Sequence, residues 1–353
     1  MNHNQFTKRV LISVAIVSAA VLLLLFLGHI FSVLLIVVGA ILVAIFFDGI
    51  ARWLSKHLPI NKTWSKLLAV IGFLLVAGAA VWGLSPYVTQ QASELQQQLP
   101  QSVQQVKSQL EQTTVGSQLV QYVEQKNIRK ELASNAQRFF TTVFGVFGVL
   151  ADVYIILFMG FLIYATPQAY LSGIVHLVPK AGRSRTEEVL DTLGQTLRSW
   201  LSGKLLSMLI VAVLTWVGLW IIGLPFAVVL GLSAGLLAFV PNFGPLIALV
   251  LGVLVAATMG WQTVLWTALV YVGVQIVESN FLTPLIQRHK LSLPMAMVLF
   301  AQLVLGVFTG ALGLILATPI FAIIMILVKM LYVEDVLEDR SFKLEPQKQV
   351  GER

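Results

Sequence analysis

The chain contains no cysteine among its 353 residues. A disulfide framework, a thiolate metal site and a cysteine nucleophile are therefore excluded. Charge is also scarce: 11% of residues are Asp, Glu, Lys or Arg, against roughly 25% in soluble domains. With 58% hydrophobic residues and a mean hydropathy of +0.87, the composition is that of a polytopic, all-α membrane protein whose first partner is the lipid bilayer. The phosphate-binding pattern G-x-x-x-x-G-K-[ST] is missing, so a nucleotide-driven cycle would need another subunit. His3, His29, His57, His176 and His289 are too scattered for a motif such as H-E-x-x-H, and no metal or other cofactor is expected. The formal charge of +7 does not indicate nucleic acid, because the basic residues lie in short segments between apolar runs, where they set membrane orientation.

Those runs predict about eight membrane segments, some broken. Residues 10–27, following Lys8 and Arg9 without a small-residue cleavage site, read as a retained signal anchor. Residues 30–47 follow across Gly28-His29 as the second arm of a helical hairpin. The basic stretch 48–66 belongs on the cytoplasmic side with the N-terminus, and 67–84 leads outward. An N-terminal membrane unit thus occupies 1–86. Residues 87–138 are rich in Gln and Ser, with Val88, Ala92, Leu95, Leu99, Val103, Val106 and Leu110 at intervals of three and four, the pattern of extramembrane amphipathic helices. A fourth span, 139–164, ends before Pro167 and leads into a basic cytoplasmic segment completing 139–204, with 187–200 as an interfacial helix. The membrane core is 205–331: a span at 205–222, two short arms at 226–240 and 246–259, a span at 264–277, and a bent pair at 291–306 and 311–330 interrupted by Pro319. The charged tail, 332–353, is expected in the cytoplasm.

The core turns on Phe239-Val240-Pro241-Asn242-Phe243-Gly244-Pro245. Two prolines without backbone donors, a glycine and an asparagine cannot continue an α-helix. Backbone at membrane depth survives such a break only when protein or a water-filled cavity covers it. Broken helices of this kind surround the substrate sites of secondary transporters, so a re-entrant hairpin with Pro241–Pro245 at its tip is predicted. Among the charged residues, Asp152 and Glu278 are the two placed inside spans, where an acid marks an ion or substrate path. Glu278 has Gln275, Ser279, Asn280, Thr283 and Pro284 nearby, which supply hydrogen-bonding groups and a helix break; Asp152 has Gly145 and Gly148 on nearby turns. Its alternative roles are a helix cap, a partner for a loop cation, or, for Asp152, a structural hydrogen bond between helices. Gly231 and Gly235, and Gly306, Gly310 and Gly313, are spaced for close helix packing.

Gly231-Leu232-Ser233-Ala234-Gly235 also matches G-x-S-x-G, with Glu278 and His289 following in the order of a hydrolase triad. That motif needs a strand-to-helix elbow, whereas Ser233 falls in an apolar helical run. No enzyme activity is expected.

Taken in order, Phe239–Pro245, Gln275-Ile276-Val277-Glu278-Ser279-Asn280-Phe281-Leu282-Thr283-Pro284, Leu293-Pro294, Gly310–Gly313, Ala317-Thr318-Pro319 and Leu331-Tyr332-Val333-Glu334-Asp335 resemble the autoinducer-2 exporter family of bacterial permeases. One departure is the absence of proline from 30–47, which many relatives break with one. The resemblance implies an inner-membrane exporter of small polar solutes or signal molecules of the furanosyl-borate kind, or, as in some members, a sodium or lithium/proton antiporter. Protons or sodium would be the coupling ion. It further implies that Pro241, Asn242, Gly244 and Pro245 share a translocation region with Gln275, Glu278, Asn280 and Pro284. Glycine-lined helix faces and the amphipathic insert suit a homo-oligomer. A reading from another class is a membrane scaffold that binds a partner through 87–138.

Overall fold

In the computed structural model, which describes residues 31–61, 63–76, 78–79, 82–83, 89–91, 94, 146–282 and 294–339, every regular element is helical and no strand occurs among the described residues. The expected first span, the turn at Gly28-His29, most of the insert 87–138, the segment from Thr283 to Leu293 with Pro284 and His289, and the tail beyond 339 lie outside the described residues.

Without a proline, the second predicted span stays unbroken and runs past its expected end as α1, Phe31–His57. Helix α2, Thr63–Val76, follows, and then α3, Val146–Ala165. Pro167 occupies the first turn of α4, Pro167–His176, and the chain bends by 82° there. Proline disfavours helical backbone at the residue before it, which is why the span stops at Thr166. Glycines close the α1–α3 contact: a Cβ on Gly160 would lie 2.7 Å from Val43 Cβ and 2.9 Å from the Ala40 carbonyl. Phe46, Phe47 and Phe73 meet edge to face, and with Ala69 and Tyr164 they make a core for α1, α2 and α3.

The next element differs from expectation. Instead of an interfacial helix joined to a separate span, residues Arg183–Ile221 form one helix, α5, of 39 residues. Its length is about 58 Å, nearly twice the hydrocarbon thickness. Val189, Thr196, Leu197, Leu201, Ser207, Val211, Thr215 and Leu219 are all buried along it. These positions hold one stripe through residues 200–204, so the packing face does not change where the composition does. The division drawn at 204/205 falls inside this helix.

Beyond α5, Gly223 (φ 70°) and Phe226 (φ 62°) turn the chain back. Helices α6, Ala227–Leu237, and α7, Phe243–Ala256, contact one another as a hairpin. Their lengths, about 16 and 21 Å, are each too short to cross roughly 30 Å of hydrocarbon. The tip reverses at Asn242 (φ 66°), and a Cβ on Gly244 would collide with the Leu237 carbonyl. Helix α6 lies directly on α5: a Cβ on Gly231 would sit 2.7 Å from Trp216 Cα, and one on Gly235 would sit 2.6 Å from the Met208 carbonyl. The spacing of four read from the sequence therefore faces α5. The amide side chain of Gln91, in the insert, accepts a bond of 3.4 Å from Val229 N–H near the start of α6.

Helix α8, Trp261–Val277, returns along α7, with the Tyr271 ring against Gly252, and ends in a widened π-helical turn over Glu278–Leu282. The last helix, α9, Met295–Leu327, opens at Pro294 and breaks at Gly310 (φ 66°, ψ −141°). A Cβ on Gly313 would strike the Leu305 carbonyl, eight residues back, so the two arms fold sharply against each other. Pro319 does not interrupt the second arm, as the sequence suggested: helix continues through it and the residue is fully buried. A proline removes one intrahelical bond; the glycine at 310, with its positive φ, takes the bend instead. At the end of α9, Arg185 of α5 bonds the Met330 carbonyl (2.8 Å), Glu334 (2.8 Å) and Asp335 (3.0 Å), beside Val189, Ile326 and Met330.

Close packing of α6 on α5 has a measurable consequence. Gly235→Leu is expected to lose about 1–3 kcal/mol through overpacking and to lower the melting temperature in detergent. Gly194→Ala, where an added Cβ meets nothing on α5, should leave it unchanged or raise it, since alanine is favoured over glycine in helices by about 1 kcal/mol.

Candidate functional site

Trp200, Lys204 and Ser207 stand at i, i+4 and i+7 on α5, on one helical face. Two parts of the expected translocation region meet this face. The Trp200 ring packs edge-on against Phe239 at the hairpin tip, with centroids 5.8 Å apart and planes at 82°. One turn further on, Glu278 accepts hydrogen bonds at Oε1 from Ser207 Oγ (2.8 Å) and Lys204 Nζ (3.4 Å). Both charged side chains are nearly sealed from solvent, at 13% exposure for Lys204 and 10% for Glu278. The tip and Glu278 are therefore neighbours along α5, each held by it, although no direct bond joins them among the described contacts.

A third element completes the site. Gln302, on the first arm of α9, is fully buried and donates from Nε2 to the Pro241 carbonyl at 3.1 Å. Its Oε1 is buried without a hydrogen-bond partner among the described residues. Because the Pro241 carbonyl also accepts from Phe243 N–H at 2.8 Å, the break in the α6–α7 hairpin is satisfied partly by itself and partly by the neighbouring hairpin. That meets the requirement for polar backbone at membrane depth.

The other predicted positions divide. Gly244 is buried within the tip, Pro241 and Pro245 are half-buried, and Asn242 is exposed. Gln275, Ser279 and Asn280 are exposed, with Ser279 Oγ donating to the Gln275 carbonyl (2.8 Å) and Asn280 Nδ2 to the Ile276 carbonyl (3.0 Å). The bonds from Ser207 and Lys204 thus tie the Glu278 carboxylate to α5, while Ser279 and Asn280 bond back to their own helix. The widened turn beginning at Glu278 is of a kind often found at functional sites. Asp152 is half-buried on α3, a helix packed on α1 through Gly160 and through Ile156 against Gly39, and it stands apart from the Glu278 cluster.

Three members of the site were missed in the sequence: Lys204, Ser207 and Gln302. Lys204 follows Ser202-Gly203 at the edge of an apolar run and reads as the end of a basic loop. Only the continuity of α5 carries it inward. Gln302 is a lone amide in an apolar arm and escapes any survey of charges; its signal was being the single strongly polar side chain between Met295 and Val307.

A family model described as an AI-2E family transporter matches residues 11–332. The chain belongs to that family. Similar proteins include YrrI of Bacillus subtilis (strain 168), 32% identical over 152 residues that cover 43% of each chain, and YueF of the same organism, 25% identical over 291 residues covering 79% of this chain and 78% of that one. Both are named as candidate transport proteins. PerM of Escherichia coli (strain K12), named as a candidate permease, is 23% identical over 176 residues, 49% of this chain and 50% of its own. The match thus spans less than half of YrrI and half of PerM, but most of YueF. Family membership and helices of spanning length make this AI-2E family chain a multi-pass membrane protein.

A buried pair in a low-dielectric setting holds together only as a pair, since removing one partner strands the other charge at a cost of about 3–5 kcal/mol. Lys204→Met alone should therefore lower stability in detergent strongly. Lys204→Met combined with Glu278→Leu should recover most of the loss, a coupling measurable by a double-mutant cycle. Gln302→Leu, which keeps the volume and leaves Pro241 its bond from Phe243, should cost only about 1 kcal/mol in thermal unfolding.

Proposed function

We propose that the chain is a secondary transporter that moves small polar solutes across a bacterial inner membrane, in the export direction that its family resemblance suggests. The basic segments beside the spans support cytoplasmic termini. The observation that carries the reading is the sealed Lys204–Glu278–Ser207 cluster next to a helix break on the same face of α5. Charged side chains buried in a membrane protein are costly to keep and mark a path by default.

The pair supplies a way to couple two species. In the closed arrangement each charge neutralises the other. If a proton or sodium ion takes Glu278, Lys204 loses its counter-charge and becomes a seat for an electronegative group on the solute. If neither is present, the pair re-forms and the site closes. Binding of ion and solute together is then favoured over binding of either alone, which couples the two fluxes in one direction, so export follows the solute's own outward gradient and carries the ion with it. The two hairpins, α6–α7 and the arms of α9, are the elements that would move against α5 to expose the site to each side in turn. Gln275, Asn280, Pro284 and the tip residues Pro241, Asn242, Gly244 and Pro245 would then line the path, with Asp152 a second, separate acid. A carboxylate beside a hydroxyl also suits a monovalent cation, which keeps sodium/proton exchange as the second reading.

Flux from proteoliposomes loaded with polar solutes, under an imposed proton or sodium gradient, tests this. Wild-type flux should follow the gradient, and Glu278→Gln, checked for correct insertion, should lose that dependence by an order of magnitude or more. A sodium-dependent change of internal pH with no organic solute would favour the exchanger. Gradient-driven flux unaltered in Glu278→Gln would refute the assignment of Glu278.

A further inference from the structure

Helices α1 and α5 leave an open cavity of about 260 Å³ between them. On α1 its wall is formed by Ile45, Phe46, Gly49, Ile50 and Trp53, spaced to lie along one face; Leu201, Leu205 and one hydroxyl residue, Ser202, face them from α5. A Cβ built on Gly49 meets no atom within 4 Å. The glycine is therefore not there for helix packing, and it opens the floor of the groove. Trp53 stands at one end, 61% exposed, where an amphipathic ring suits a membrane–water boundary.

The same faces continue into positive charge. Lys56 and His57 follow Trp53 on the groove face of α1, and Arg198 precedes Leu201 by one turn on α5. The acid at this end, Asp48, is already taken twice, by Arg198 (2.6 Å) and by Arg52 (2.9 Å) through the same oxygen. Two guanidinium groups against one carboxylate leave a positive excess, to which the exposed Lys56 adds. An apolar slot open to the side and ending in surplus cationic groups is complementary to one kind of molecule: an acyl chain bearing a negatively charged headgroup. Basic residues at a membrane surface attract anionic lipid, and tryptophan marks the headgroup level.

We infer that the α1–α5 groove is a binding site for an anionic phospholipid, with an acyl chain along Gly49 and the headgroup phosphate at Arg52 and Lys56. Its occupancy would wedge α1 against α5 beside the translocation region, so the lipid acts as a removable part of the packing.

Native mass spectrometry on the detergent-purified full chain, titrated with phosphatidylglycerol and phosphatidylcholine of matched acyl chains, tests the site. The wild type should retain phosphatidylglycerol several-fold better than phosphatidylcholine. Gly49→Leu, which fills the groove from a position with free space, should lose the first bound phosphatidylglycerol. Trp53→Ala, at an exposed side chain outside the core, should weaken the same adduct and guards against a packing artefact in the first variant. Arg52→Gln with Lys56→Gln should lower phosphatidylglycerol retention to the phosphatidylcholine level. Equal retention of both lipids by the wild type, or undiminished phosphatidylglycerol binding in Gly49→Leu with its melting temperature unchanged, would overturn the inference.

Discussion

Backbone amides and carbonyls in hydrocarbon have no water to fall back on, and this chain breaks its helices where such groups would be exposed. Two of these breaks are supported by neighbouring protein. The tip between α6 and α7 lies against Trp200 and receives the Gln302 amide, and the widened turn at Glu278 rests on α5, whereas Gly310 itself is exposed. The arrangement of the molecule follows from that need. The α6–α7 hairpin, too short to span, rests on a long helix and on the first arm of α9.

Helix α5 is the common support, and it serves through both shape and charge. Glycines on α6 let its backbone rest on α5, while Gly218 of α5 gives way to Val270 of α8. Among the described residues, the long-range ion pairs that join elements draw their cations from α5: Arg185 to Glu334 and Asp335, Arg198 to Asp48, and Lys204 to Glu278. These pairs differ in burial and so in meaning. Arg185 is 27% exposed, a clamp that salt can loosen, whereas the Lys204 pair is shielded from screening and depends on its own geometry.

Much of this was legible in the residues. Pro241, Asn242, Gly244 and Pro245 announce a break, and their lack of helical options is intrinsic. Glu278 could be singled out because an acid in an apolar run is costly wherever it sits. The continuity of α5 was not legible, because a change from polar to apolar composition at 200–204 looks like a boundary when only sequence is read. The packing stripe ignores that change. The misplacement of Lys204 followed from the same error, and Pro319 misled in the opposite sense: proline forbids one bond, yet the helix continues through it. Gln302 shows a different limit. An amide carries no charge and breaks no helix, so its role exists only in the distance to a carbonyl on another hairpin.

The unbroken length of α5 makes it a beam. Arg185 and Lys204 are 19 positions apart, about 28 Å along the axis, so a rocking of about 5° around Lys204 swings Arg185 through about 2.5 Å. That arc is comparable to the length of the salt bridges at its end. A tilt of that size at the buried pair would be enlarged at the far end into the making or parting of contacts with Glu334 and Asp335, so a grip on those two acids would act at the buried pair.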